Sequence, residues 1–395
     1  SYPTYDPNIW QVGLTQKQAT DLFSEETGVP ALNRALQGMY SPASTFKSVS
    51  VVAAMSAGYD MNAYYKCPAK VQIGDREFNN FQNKSQGTIK MREAIAVSCD
   101  TIWYQIAYDE WLRDGGLSPR SGLHDYFFTA ARGFGLGKRT GIDLPSEASG
   151  RLPDRDWKKR FHEEYKDFYC NFKERAKKSD LNPYLIEIAR ENCLDGDKVR
   201  AGDAANFSIG QGDMLMTPIQ MVQLYATIAN GGTIFKPQIA RAVIKPNGVV
   251  VKEYKAEVIA AQVLTKKADR FLKDALRAVV TEGTAEGIFS GFPISVSGKT
   301  GTGEDLGFNK DGTTKADTAW FASYAPYENP EYAVVMVVSQ GGFGSSTSAV
   351  GVREIYSAIY GVTGNQINKA EEIFPNGIPN KLPKIDPKNA KLVLP

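Results

Sequence analysis

Histidine is the scarcest residue in this sequence. Only two are present, His124 and His162, in a chain of 395 residues. Neither has a second histidine at metal-ligand spacing, which excludes a zinc hydrolase of the HExxH kind. A Ser-His-Asp hydrolase would have to use one of the two, and neither sits in a motif-like setting. A nucleophile in this chain therefore takes its base from elsewhere, and lysine is the first candidate. Net charge is slight as well: 46 Lys and Arg stand against 44 Asp and Glu, a formal +2. No basic excess or stripe marks a nucleic-acid partner. The basic stretch from Lys158 to Lys178 is interleaved with Asp and Glu and reads as solvated helix surface. No run of about 18 apolar residues and no secretory signal is seen. The four cysteines, Cys67, Cys99, Cys170 and Cys193, form no CxxC pair, which argues against a structural zinc site. They read as buried thiols. A Cys170–Cys193 bridge is open to them in an oxidising compartment, and spacing alone does not decide it.

What is present is enough for a full core, with 42% hydrophobic and 23% charged residues. Pro42 precedes a helix expected from Ser44 to Ala57, with Val49, Val52, Ala53 and Met55 apolar and Gly58 as its stop. A second helical pattern covers Met91 to Trp111. A charged, partly helical region follows from Asp154 to Asp203, interrupted at Asn182-Pro183. Thr217-Pro218 opens another helix, which runs to Gly231-Gly232. The last third changes character. Ile239 to Ile244 and Val249 to Tyr254 flank an Asn247-Gly248 hairpin turn. A helix from Ala268 to Val280 then precedes strands at Ile294 to Thr300, Thr318 to Tyr324 and Tyr332 to Ser339. A helix from Val352 to Tyr360 and a Pro/Lys-rich tail, expected to be mobile, close the chain. Helices first and a hairpin-rich sheet later predict an α+β fold, with helices packed on an antiparallel sheet.

Three short blocks carry chemistry. Ser44-Thr45-Phe46-Lys47 opens a predicted helix, where residues three apart share a face, so the Lys47 amine can reach the Ser44 hydroxyl. Lysine serves as a base only when burial or a nearby cation lowers its pKa. Free N–H groups at the helix start suit a developing oxyanion. Ser98-Cys99-Asp100 follows Val97 near the middle of the second helical pattern. Ser98 could relay a proton, and Asp100 could accept a hydrogen bond from lysine or from a substrate amide. Lys299-Thr300-Gly301-Thr302 ends a strand candidate. There Gly301 admits a ligand close to the backbone, the Thr300 and Thr302 hydroxyls can hold a carboxylate, and Lys299 supplies positive charge. The first two blocks alone are weak signals, and the third is more demanding. Their combination, in this order and in these contexts, is the signature of the penicillin-recognising serine enzymes.

The resemblance extends further. Tyr40-Ser41-Pro42-Ala43-Ser44-Thr45-Phe46-Lys47 resembles the YxPGSTFK block of class B penicillin-binding proteins, with Ala43 where glycine is usual. Thr140 to Pro145 with Gly150, Ser208 to Gly212, Thr217 to Gln220, Glu282 to Ala285 and Ala319-Trp320-Phe321 are also similar to that family. Asp100, in place of the Asn of division-type enzymes, and Asp156 to Lys159 resemble the elongation-type penicillin-binding protein 2 subgroup.

The family implies a transpeptidase domain over residues 1–395. Its core would occupy about 1–54 and 206–365, an inserted, mainly helical subdomain about 55–205, and a tail 366–395. It implies a peptidoglycan stem peptide ending in D-Ala-D-Ala as substrate, β-lactams as acylating inhibitors, and no cofactor. By resemblance, Ser44 attacks with help from neutral Lys47, and the backbone N–H groups of Ser44 and Thr302 form the oxyanion hole. Lys299, Thr300 and Thr302 hold the terminal carboxylate, and Ser98 passes the proton to the leaving amine. A SEDS-family glycosyltransferase partner and an upstream membrane anchor on the extracytoplasmic face are implied in the same way. The stretch Lys158 to Lys198 is expected to be a surface insertion. Two alternatives use the same acylation. One is a serine β-lactamase, which needs a water-activating Glu for which no motif lies between the second and third blocks; the other is a β-lactam-sensing receptor domain.

Overall fold

The run Ala319-Trp320-Phe321-Ala322 is apolar at every position, which suits a strand covered on both faces. In the computed structural model it lies in the central strand Thr318–Ala325, every residue of which is buried. The structure describes residues 1–175, 183–305, 307, 309, 312–373, 384–386 and 391–393. The central strand pairs antiparallel with Tyr332–Val338 on one side and Ser297–Gly303 on the other. Alternate side chains point to opposite faces. Trp320 faces the N-terminal segment and donates its indole N–H to the Ser41 carbonyl at 2.9 Å. On the other face Ser323 meets the Tyr356 hydroxyl at 3.1 Å, and Phe321 stacks on Phe289.

Helices cover the sheet. Pro218–Ala229 packs on the central and Tyr332–Val338 strands, and Lys266–Thr281 packs against Ser297–Gly303. The former begins with a Thr217 capping box and Pro218 in its first turn. The latter buries Ala268, Leu272, Ala275, Leu276 and Val279 along one stripe. Ser348–Tyr360 lies against the central and outer strands. The mixed architecture of an antiparallel sheet flanked by helices is the α+β arrangement expected.

Residues between the first helices and this sheet are mainly helical. Thr101–Arg113 packs on Ala201–Ser208, and Arg155–Cys170 on Pro183–Asp195. Two small two-stranded sheets join them: Lys70–Ile73 pairs with Arg76–Asn79 as a hairpin, and Tyr64–Cys67 pairs with Gly87–Lys90 around it.

Several expectations are corrected. The helical pattern from Met91 to Trp111 is two helices, Met91–Ala96 and Thr101–Arg113, broken where Ser98 takes φ 61°. Ser44 lies in a 3-10 turn, Ala43–Phe46, and the α-helix proper is Lys47–Ser56. The strand expected at Ile294 to Thr300 is Ser297–Gly303, so the Lys-Thr-Gly-Thr block is inside the strand. Glycine and polar residues weaken the local signal there, but pairing with the buried central strand carries the ladder through them. Lys158 is 3% exposed and paired with Asp213 at 2.8 Å and Asp203 at 3.3 Å, so it is not solvated surface. The cysteines are not free thiols: Cys67–Cys99 and Cys170–Cys193 are both disulfides. Residues 176–182, with the interruption at Asn182, and most of the tail expected to be mobile lie outside the described residues.

Candidate active site

The segment that carries Ser44 is pinned before it turns. Tyr40 exchanges backbone hydrogen bonds with Met216, Ala43 N–H donates to the Gly210 carbonyl at 2.9 Å, and Ser41 Oγ donates to the same carbonyl at 2.7 Å. Gly210 is required by the close approach, since a Cβ there would fall 2.5 Å from the Ala43 carbonyl. Thr45 Oγ1 donates back to the Pro42 carbonyl at 2.5 Å and closes the turn. Ala43 has φ 49°, the left-handed region where glycine is at ease. The backbone therefore explains why glycine is usual at this position of the resembled block. Here alanine adopts that conformation.

Three residues on, Lys47 starts the helix and points inward. It is 0% exposed. Its Nζ donates to the Ser98 carbonyl at 2.8 Å, Ser98 Oγ at 3.2 Å and Asp100 Oδ1 at 2.5 Å. Those three bonds use all three ammonium donors. Among the described residues, none of its hydrogen bonds goes to Ser44 Oγ. Burial holds the Lys47 amine below the usual lysine range, and the neighbouring Asp100 carboxylate opposes that shift. The break at Ser98 makes the arrangement possible. There both the carbonyl and the hydroxyl of Ser98 reach the same amine.

The third block approaches from the sheet. Thr300 pairs with Phe321 and Thr302 with Ala319 in the antiparallel ladder. A Cβ on Gly301 would stand 3.1 Å from both Thr45 Cγ2 and Trp320 Cβ, so glycine lets the strand lie against the Ser44 turn. Lys299 is 0% exposed, and its Nζ donates to the Thr300 carbonyl at 3.2 Å. Its amine is held well below the ordinary value by burial and then by the Lys47 charge, with Asp100 opposing. Ser44, Ser98, Asp100, Thr300, Gly301 and Thr302 line one cleft of about 320 Å³. The two lysines lie beneath its floor. Two buried amines under hydroxyl groups suit both tasks, a protonated one drawing an anionic group into the cleft and a neutral one accepting a proton from a hydroxyl.

Sequence reasoning marked some neighbours without giving them a task. Thr284 Oγ1 bonds Thr300 Oγ1 at 2.6 Å, and Gln211 Nε2 donates to the Thr302 carbonyl at 3.4 Å. Others were missed. Asn80 Oδ1 accepts the Asp100 N–H at 2.8 Å, and Gly344 N–H donates to Thr302 Oγ1 at 3.3 Å. Glu304 and Asp317 also reach the cleft. Burial first, then neighbouring carboxylates, hold both above the ordinary range. Glu304 stands two residues past the third block, a position that could have been singled out. Asn80 and Gly344 lie far from every motif in the chain, and no local pattern announces them.

Known proteins are similar to this chain in sequence and fold. The family model described as the penicillin binding protein transpeptidase domain matches residues 1–358. The peptidoglycan D,D-transpeptidase MrdA of Escherichia coli K12 is 29% identical over 373 residues, covering 91% of this chain and 51% of that protein. PbpA of Mycolicibacterium smegmatis, also named a peptidoglycan D,D-transpeptidase, is 26% identical and covers 87% of this chain and 59% of its own. The chain thus spans about half the length of the first curated relatives it matches. Among solved structures, Pseudomonas aeruginosa PBP2 in complex with WCK 5153 superposes with TM-score 0.71 at 25% identity, covering 93% of this chain and 69% of that one. Helicobacter pylori PBP2 in its complex with MreC gives TM-score 0.68 at 23% identity, covering 90% and 57%, a likeness of fold. With a family model over most of its length and MrdA and PBP2 proteins as its relatives, the chain belongs to the penicillin-binding protein transpeptidase family.

Proposed function

We propose that this chain is the catalytic part of a peptidoglycan D,D-transpeptidase of the penicillin-binding protein 2 kind. The observation that supports it most is the single cleft onto which Ser44, Ser98 and Thr300 to Thr302 open, with Lys47 and Lys299 buried beneath. In this reading Ser44 Oγ attacks the penultimate D-Ala carbonyl of a stem peptide. Its proton passes to neutral Lys47, and Ser98 relays a proton to the departing D-Ala amine. The backbone N–H groups of Ser44 and Thr302 hold the oxyanion, where losing one donor typically costs about 100- to 1000-fold in rate. Lys299, Thr300 and Thr302 receive the terminal carboxylate of substrate or β-lactam. Asp100 holds the Lys47 amine. An amine of a second stem peptide then takes the acyl group, releasing Ser44.

The same reading partitions the chain into a core of about 1–54 and 206–365, a mainly helical insert of about 55–205 and a tail 366–395. It places the domain on the extracytoplasmic face of a bacterial membrane beside a SEDS-family glycosyltransferase, and two disulfides suit an oxidising compartment. No described helix is long and apolar enough to cross a membrane. A fluorescent β-lactam should form one long-lived adduct per chain, mapped by peptide sequencing to Ser44. A Ser44→Ala protein that still labels would refute the assignment.

A further inference from the structure

Cys99 is the middle residue of the turn that presents Ser98 and Asp100, and its sulfur is bonded to Cys67, the end of strand Tyr64–Cys67. Both cysteines are 0% exposed. The same hairpin region makes two more ties to the turn. Asn80 is 4% exposed, accepts the Asp100 N–H at 2.8 Å, and donates to the Lys84 carbonyl at 2.5 Å with its amide. Thr101 Oγ1 donates to the Pro68 carbonyl at 3.1 Å. The turn has something to be held against. Ser98 sits at φ 61°, a conformation that a serine leaves unless its surroundings enforce it. The three oxygens that fix the Lys47 amine all come from Ser98 and Asp100, the residues on either side of the bonded cysteine.

We propose that the Cys67–Cys99 disulfide and Asn80 are positioning groups for acyl transfer, holding the Ser98 and Asp100 oxygens on the Lys47 amine so that Ser44 acylates quickly only while the bridge is closed. This rests on the proposed function. The physical cause is packing. Two unbonded sulfurs cannot remain at bonding distance, and a fully buried site has no slack to absorb their separation without moving the turn. A displacement of about 1 Å at a catalytic group can cost about 100-fold in rate. Opening the bridge takes two electrons and two protons from a dithiol, which closes to its own disulfide while Cys67 and Cys99 become thiols.

The test separates rate from folding. The wild-type chain, a Cys67→Ser/Cys99→Ser double variant, whose unbonded oxygens must also separate, Asn80→Ala and a Cys170→Ser/Cys193→Ser control are mixed with a fluorescent β-lactam. Two quantities are read: the fraction labelled at completion, and the acylation rate constant of that fraction. A merely structural role lowers the labelled fraction and leaves the rate constant alone. The proposal expects the rate constant to fall about 10- to 100-fold in the double variant and about 10-fold in Asn80→Ala, with the control within about twofold of wild type. Wild-type rate constants in both variants overturn it. Should the double variant not fold, as judged by circular dichroism, the Asn80→Ala rate constant decides. A wild-type chain that does not label overturns the proposed function and this inference with it, whereas labelling with unchanged variant rates overturns the inference alone.

Discussion

Ala43 occupies a backbone position better suited to glycine, and three terms decide what a substitution there does. Relieving a left-handed alanine gains about 1–2 kcal/mol. The extra freedom of glycine in the unfolded chain takes back about 0.4–1 kcal/mol, and loss of a buried methyl about 0.8 kcal/mol. Ala43→Gly should therefore leave stability within about 1 kcal/mol of wild type. Ala43→Val adds a β-branched side chain at positive φ in a buried turn and should cost roughly 2–4 kcal/mol. Thermal unfolding of the two variants checks both. At Lys47 the sign of a pH effect follows from its surroundings. Burial lowers its pKa and Asp100 raises it. Removing the Asp100 charge leaves burial less opposed, so the Lys47 pKa falls further. If neutral Lys47 is the base, the ascending limb of acylation rate against pH moves to lower pH in Asp100→Asn. A limb that stays in place or moves upward would remove Lys47 from that role.

Among the elements, the strand Ser297–Gly303 brings Thr300, Gly301 and Thr302 to the cleft, and glycine governs how closely its neighbours approach. The loop after Tyr332–Val338 returns over this strand, and a Cβ on Gly344 would sit 2.3 Å from both the Gly301 and Trp320 carbonyl oxygens. Gly344→Ala must push the loop outward and break the Gly344 N–H bond to Thr302 Oγ1. Overpacking of this kind costs about 1–3 kcal/mol. The variant should unfold at lower temperature and label more slowly with a β-lactam, because Thr302 loses a fixed neighbour; a labelling rate equal to wild type would show that the loop does not position Thr302. The divided helix at Ser98 works in the opposite sense. There the element is interrupted, and side chains from 51 and 53 positions away along the chain meet at Lys47.

For the whole molecule, the two disulfides have different surroundings and should have different consequences. Cys170–Cys193 joins the ends of Arg155–Cys170 and Pro183–Asp195, away from the cleft-lining residues, across 23 positions of sequence. In the chain-entropy account, closing a loop of this size contributes about 3 kcal/mol. Cys170→Ser/Cys193→Ser should lower the melting temperature by several degrees, measured by calorimetry, while β-lactam labelling proceeds at nearly the wild-type rate. Slowed labelling would show that the insert communicates with the cleft.

The three chemical blocks, their order, the α+β class and most element types were legible in the residues alone. Ser-x-x-Lys spacing, capped helix starts such as Thr217-Pro218 and the apolar run at Trp320 are local signals, and local physics reads them. It could not say which groups Lys47 touches, because Ser98 and Asp100 reach it across long sequence separations. Nor could it find the Cys67–Cys99 bond, the service of Asn80 to Asp100 or the burial of Lys158 among aspartates. Those were decided only when packing brought distant segments together, since a buried charge or unpaired N–H must find its partner in space, wherever that partner lies along the chain.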